Sequence, residues 1–166
     1  MELVDKYDNK RRPLNKTGER MEKVDGEYRL STHIWIINSN GILIQKRAHE
    51  KKKNPDKWSI HGGAVDAGEN SLEAAIRETK EEIGITLSED DLELMLSYKR
   101  KFTITDIFLC HKEISLDEIT LQKSEVQDIK YVSFEELEKI ISNGDFANNI
   151  EEHYSFFKMI YDTFVK

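Results

Sequence analysis

Apolar and polar side chains alternate most clearly in LSTHIWIIN, residues 30–38, where β-branched and aromatic types predict a strand. Asn40-Gly41 is the tight-turn signal that follows, so ILIQKR is read as the returning arm of a hairpin. Further along, the period changes from two to three and four. Leu72, Ala75, Ile76, Thr79 and Ile83 form the apolar stripe of a helix, with Asn70 and Glu73 as its capping box and Gly84 as its stop. Lys51 to Lys57, containing Pro55, reads as loop, and Trp58 to Ile60 as a short strand. LELMLSYKRKFT and ITDIFLCHK predict two strands paired with each other, and IKYVS predicts a last one. Ser133 and Glu136 make a second capping box before FEELEKII, and NNIEEHYSFFKMIYDTF closes the chain as an amphipathic helix. Strands and helices interleave without a strict βαβ rhythm, which predicts a mixed sheet covered by helices on both faces.

Residues 1–30 break this pattern, because they hold few apolar groups. They are expected either to add an edge strand or to pack on a second subunit, as in a homodimer. A chain of 166 residues is one domain's worth, and 38% hydrophobic with 34% charged residues excludes the disordered class. Two prolines and eight glycines leave no room for a flexible linker. No apolar run approaches the ~18 residues of a membrane span. The charged start MELVDKYDNKRR does not read as a signal peptide. The single cysteine, Cys110, excludes an intramolecular disulfide and suits a reducing compartment, so a cytoplasmic location is expected.

A net charge of −7 argues against nucleic acid as a partner, since such binding neutralises phosphates with Lys and Arg. The charge is uneven, however. KRAHEKKKNPDK, Lys46 to Lys57, is a basic stretch directly before the glycine-rich HGGAVDAGE. It is either a solvated loop or a loop that meets an anion. Candidates for meeting one are Lys46 and Arg47, of which Arg47 has the better fork for a phosphate, and His61 beside Gly62. Trp58 is a candidate for stacking on a base, or else for the core.

The acidic segment RETKEEIG poses a sharper problem. Glu78, Glu81 and Glu82 lie three and four residues apart near a helix C-terminus, where like charges and the helix dipole both disfavour them. Arg77 stands inside the cluster and can hold a carboxylate through a bidentate pair. A hard divalent cation with oxygen ligands would remove the repulsion and turn the misfit into a phosphate-handling site.

Gly63, five residues, Glu69, seven residues, then Arg77-Glu78-Thr79-Lys80-Glu81-Glu82-Ile83-Gly84-Ile85 resembles the Nudix box. Every fixed position matches. Thr79 stands where an aliphatic residue is usual, and its hydroxyl is expected to bond the preceding helical turn at a small cost in stability. The resemblance implies an α/β/α sandwich with a mixed sheet, and a domain over 1–166 with its box at 63–85. It implies a pyrophosphohydrolase acting on a diphosphate linkage in a nucleoside diphosphate derivative, with Mg²⁺ or Mn²⁺ as cofactor. Carried over by position, Glu78, Glu81 and Glu82 would be metal ligands, together with a backbone carbonyl of Gly62 or Gly63. Glu78 or Glu82 would orient the attacking water, Arg77 would position a glutamate, and Glu125 is a candidate for a further carboxylate from outside the box.

A weaker resemblance, through YDNKRRPLNKTGER and HIWIINSNGILIQKRAHEKKKNPDKW, is to the branch that includes isopentenyl-diphosphate isomerase. That activity uses a cysteine just before the box, where this chain has Gly62, and histidines at positions filled here by Glu22, Arg29 and Ala64. The isomerase reading is therefore disfavoured. A non-catalytic nucleotide-sensing module is the other alternative, although such modules usually lose a box glutamate and none is lost here. The identity of the diphosphate substrate is not legible in the sequence.

Overall fold

A computed structural model describes residues 2–164. Among the described residues there are nine strands: β1 Leu3–Tyr7, β2 Pro13–Glu19, β3 Arg29–Asn38, β4 Gly41–Arg47, β5 Trp58–Ser59, β6 His61–Ala64, β7 Leu92–Lys99, β8 Thr103–His111 and β9 Val126–Val132. The helices are α1 Ser71–Ile83, α2 Phe134–Ser142 and α3 Asn148–Phe164. Seven of the strands form a mixed sheet. β3 is parallel to β8, while β4, β6 and the β7–β8 pair are antiparallel to their neighbours. This is the mixed sheet covered by helices on both faces that the pattern predicts, and the sandwich that the resemblance implies.

β3 is buried on both faces, so its alternation sorts side chains between two cores. Ile34 and Ile36 pack with Leu43, Ala75, Ile83 and Cys110 under α1. Trp35 and Ile37 pack with Phe146, Ile150 and Phe157 under α2 and α3. The Trp35 and Phe157 rings stack at 3.9 Å and 3°. Burial of aromatics of this size fixes the closing helix against the sheet.

The sheet splits where the site will stand. β3 and β4 pair only from Ile36 to Leu43 around their hairpin. Beyond it they diverge, β6 taking the edge of β3 at Ser31–Ile34 and β5 the edge of β4 at Gln45–Lys46. A chain crossing from β4 to β3 thereby carries His61, Gly62 and Gly63 between the two. Gly62 has φ +150°, and a Cβ there would lie 2.2 Å from the Thr32 carbonyl oxygen, so only glycine fits.

Of the two expectations for the N-terminal segment, the edge strand is not met: β1 and β2 form an antiparallel ribbon separate from the main sheet. Its turn is tied by Asp8, whose carboxylate accepts from the backbone N–H groups of Lys10 and Arg12. Arg11 at the turn reaches Asp106 of β8 with both guanidinium nitrogens, at 2.7 and 2.5 Å. Val4 is buried and Tyr7 packs with Leu30 and Ile104, and the Arg11–Asp106 pair adds a polar tie; two apolar contacts in so polar a segment are too few for hydrophobic patterning to find. Among the described residues, no helix is long and apolar enough to cross a membrane.

Candidate active site

The helix that bears the box is capped as its sequence predicts. Asn70 accepts from the N–H groups of Leu72 and Glu73, Glu73 returns a bond to the Asn70 N–H, and Gly84 closes the helix at φ 75°. Thr79 donates to the Ala75 carbonyl at 2.8 Å within the buried face. With both ends fixed, the helix holds Glu78 and Glu82 one turn apart, facing β6 and β4.

Arg77 is the hub of the acidic cluster. Its Nε and Nη2 grip Glu69 bidentately at 2.8 and 2.9 Å. Its Nη1 donates to Glu78 at 3.0 Å and to Glu81 at 3.2 Å, and Nη2 also reaches the Ala64 carbonyl at 3.1 Å. The bidentate partner is thus Glu69 at the mouth of the helix, not one of the three helical glutamates. Its hydrogen bonds to Glu69 raise the Arg77 pKa above the ordinary guanidinium value. Burial alone would raise Glu69, but Arg77 more than offsets this and holds it below the usual carboxylate range.

Glu78 is different. Burial, and then the nearby charge of Glu82, push its pKa up to about 7 against the opposing pull of Arg77. Its carboxylate lies directly against Gly63, where an added Cβ would fall 2.2 Å from Oε1. Glu82 is almost fully buried, with its Oε2 accepting from Gln45 Nε2 at 3.0 Å and from the Gly62 N–H at 3.4 Å. Glu81 is the exposed member of the three.

The other candidates divide. Arg47 lines the cleft beside β6, together with Gly62 and Gly63. Lys46 does not, because adjacent strand residues point to opposite faces. It pairs in register with Trp58, whose ring lies 5.9 Å from Lys46 Nζ and 4.4 Å from Lys130 Nζ. Trp58 packs on the α2–α3 core, so neither Lys46 nor Trp58 meets the cleft. His61 is a further correction: it is fully buried behind Glu82, with Nδ1 3.7 Å from Oε2, and presents nothing to a substrate phosphate. Glu125 has its carboxylate paired with Lys51. Its loop is bound to the end of α1 through Gln122 N–H to the Glu82 carbonyl at 2.9 Å.

Gln45 is the site residue that the sequence reading passed over. It shares the alternation of Leu43 on β4, toward α1, and a buried amide on an otherwise apolar strand face is the signal that could have found it.

Among the described residues no three metal-ligating side chains already converge on one point; Arg77 engages Glu78 and Glu81 instead. The donor set nevertheless suits a hard divalent cation: carboxylate oxygens, one of them buried and repelled by its neighbour, beside glycine backbone with no side chain in the way.

Residues 27–154 match the family model described as NUDIX domain. An uncharacterized Nudix hydrolase of Listeria innocua is 37% identical over 149 residues, spanning 88% of this chain and 88% of that protein. Among solved structures, DR0079 from Deinococcus radiodurans has a TM-score of 0.73 at 19% identity, covering 88% of this chain and 92% of that one. A bifunctional NMN adenylyltransferase/ADP ribose pyrophosphatase from Francisella tularensis, complexed with AMP and a Mn ion, has a TM-score of 0.66 at 21% identity. It covers 85% of this chain and 43% of that one. The structures share the fold; the family model and the Listeria relative settle the rest, and this chain belongs to the Nudix hydrolases.

Proposed function

We propose that this chain is a divalent-metal-dependent pyrophosphohydrolase that cleaves a diphosphate linkage in a nucleoside diphosphate derivative. The observation that carries the reading is the Glu78–Glu82 pair, a partly buried and an almost fully buried carboxylate one turn apart at a helix end, with the Glu78 pKa raised to about 7. Such a pair is costly to an unliganded fold and useful to one that binds cations. The Francisella neighbour's AMP and Mn ion, and its ADP ribose pyrophosphatase name, support the substrate class and the metal.

Glu78, Glu82 and Glu81 would hold Mg²⁺ or Mn²⁺ with a backbone carbonyl of Gly62 or Gly63, and Glu125 would join them only after leaving Lys51. The metal would supply charge stabilisation at phosphorus and a more acidic bound water. The protein's own residues then have separable tasks. Arg77 fixes Glu69, Glu78 and Glu81 relative to one another. Gln45 and the Gly62 N–H orient one oxygen of Glu82, leaving the other for a ligand or a water. Glu78 or Glu82 would orient the attacking water. Arg47, on the cleft side of β4, is placed to bind a substrate phosphate.

The isomerase alternative loses support at Gly62, where the backbone leaves no room for a cysteine side chain. Cys110 lies fully buried in β8, and burial pushes its thiol up to about 12. The test is hydrolysis with Mg²⁺ across nucleoside di- and triphosphates, nucleotide sugars, dinucleotide cofactors and isopentenyl diphosphate, with and without chelator. Chelator-sensitive release of phosphate or a monophosphate is the expected result. Melting shifts without turnover anywhere in the panel would replace the hydrolase with a sensor.

A further inference from the structure

The N-terminal ribbon lies before residue 27, where the family match begins, yet it touches both the box and the cleft. On one side, β1 is tied to the loop that enters α1. The Leu3 carbonyl accepts from the Ala67 N–H at 2.9 Å, and the Asp5 carboxylate accepts from the Gly68 N–H at 2.8 Å. On the other, Arg20 to Lys23, directly after β2, line a cleft that they share with Gly62 and Gly63. Its volume of about 660 Å³ suits a ligand of nucleotide size, larger than a diphosphate alone.

Stability does not account for one contact inside the ribbon. Lys6 shares the inward face of β1 with Val4 and is 3% exposed. Its ammonium lies 3.4 Å from a Glu22 carboxylate oxygen and 3.5 Å from the Glu22 carbonyl oxygen. Burying an ammonium is costly unless its partner offsets the lost hydration, and a carboxylate that is 49% exposed offsets little. A methionine at position 6 would fill similar space without that cost. What the lysine does is hold Glu22, and Gly18 makes the room. Gly18 pairs with Val4 across the ribbon and does not have a positive φ. A Cβ there would lie 2.5 Å from Lys6 Cε and closer still to a Glu22 carboxylate oxygen, so glycine is needed for space rather than for backbone freedom.

The neighbours of Glu22 are fixed as well. The Arg20 N–H donates to the Glu2 carbonyl at 2.9 Å, and its guanidinium pairs with the Glu2 carboxylate at 2.6 Å. Lys23 stands 5.9 Å from the centroid of Phe102, another residue of the lining. Met21, between these held neighbours, remains exposed. A cleft wall is thus built with care from a segment that bears none of the box glutamates. We propose that the ribbon is a binding wall for the part of the substrate that is not cleaved, and that Lys6 is a positioning residue that sets this wall through Glu22. The proposal deepens the hydrolase reading and rests on it for placing the scissile diphosphate beside Gly63 and Glu78.

The test compares two ligands whose bridge cannot be hydrolysed, each with Mg²⁺. Methylenediphosphonate carries the bridge alone, and α,β-methylene-ADP-ribose carries a group on either side of it. Calorimetry on the wild type should find α,β-methylene-ADP-ribose at least ~10-fold the tighter. Gly18→Ala fills the niche at a strand position that otherwise takes alanine readily, and Lys6→Met removes the ammonium while keeping the packing. Hydrogen exchange over residues 19–24 should speed up in both variants, with their melting transitions retained. Each variant should weaken α,β-methylene-ADP-ribose about tenfold, and should keep methylenediphosphonate and Mn²⁺ binding within about twofold of wild type. For any substrate that is turned over, KM should rise about tenfold at unchanged kcat. Unaltered exchange, equal losses for the two ligands, or no loss of either overturns the proposal, as does a wild type that binds both ligands alike. If the selective loss appears while the wild type turns over no nucleotide, the hydrolase reading falls and the ribbon stands as a binding wall. Turnover without selective loss leaves the hydrolase and removes the wall.

Discussion

At the first turn of α1, Ser71 donates to Asp106, a carboxylate only 3% exposed that also accepts from Arg11 and Ser97. At the last turns of the same helix, Glu82 is 5% exposed, yet it shares its surroundings with a second carboxylate, Glu78. Burial alone would raise the Asp106 pKa, but Arg11 and the two hydroxyls more than offset it and hold it below the ordinary value. Burial and Glu82 instead carry Glu78 up to about 7. One helix therefore buries acid in two ways. Where donors surround the acid, it docks the N-terminal ribbon; where a like charge stands beside it, it is the acid we propose to bind a cation. Such neighbours separate a structural carboxylate from a candidate functional one better than burial does, since both are buried.

The largest effect on stability expected from breaking this contrast is at Asp106. Asp106→Asn leaves the Arg11 guanidinium, itself more than a third exposed, without its anion and should cost about 1–3 kcal/mol, read as a lower urea midpoint. Remaining folded protein should hydrolyse substrate at nearly the wild-type kcat. Glu82→Gln should do the reverse, lowering kcat by at least ~100-fold, about 3 kcal/mol of barrier, with little loss of stability. A Glu82→Gln enzyme with wild-type turnover would take Glu82 out of the site.

Acidity sharpens the same contrast. The folded-state pKa of Glu78, about 7, lies above its ordinary 4.5, so the folded protein holds this proton more tightly than the unfolded chain. That contribution is complete below pH 4.5 and is lost as the pH rises through 7, a change of about 3 kcal/mol in metal-free protein. Asp106 runs the other way: its contribution is present above the ordinary 3.8 and lost as the pH falls through its lower folded value. Melting temperatures of chelator-treated protein from pH 5 to 8 should therefore fall with pH. Glu78→Gln should flatten that slope, and added Mg²⁺ should restore the alkaline end. A slope unchanged in Glu78→Gln would assign it to other groups. The smallest expected effect is at the cap, where Asn70→Ala should remove about 1 kcal/mol without changing kcat.

Elements whose cause is local were legible in the sequence. The capping boxes at Asn70 and Ser133, the Gly84 stop and the hairpin at Asn40-Gly41 all depend on residues within a few positions of each other. So does the glutamate spacing, which places Glu78 and Glu82 on one face. What sequence reading misses is built at long range. β6 reads as a glycine-rich loop, and it is a strand because the edge of β3 is open to it. The Arg11–Asp106 pair spans 95 residues, and no period announces it. Lys46 and Arg47 are both candidates as letters, and only the pleat sends one to Trp58 and the other to the cleft.

The parallel pairing of β3 with β8 has a consequence for how the molecule assembles. Ser31 and Thr105, side by side in the finished sheet, are 74 positions apart, and α1 lies within the chain that this contact closes. Closing so long a loop is slow compared with forming a capped helix, by orders of magnitude in time. Helix α1 is thus expected to fold early, with its carboxylates in water. Their burial, and the repulsion between them, come when the two halves of the sheet join, so a divalent cation present during refolding should speed or stabilise that last step.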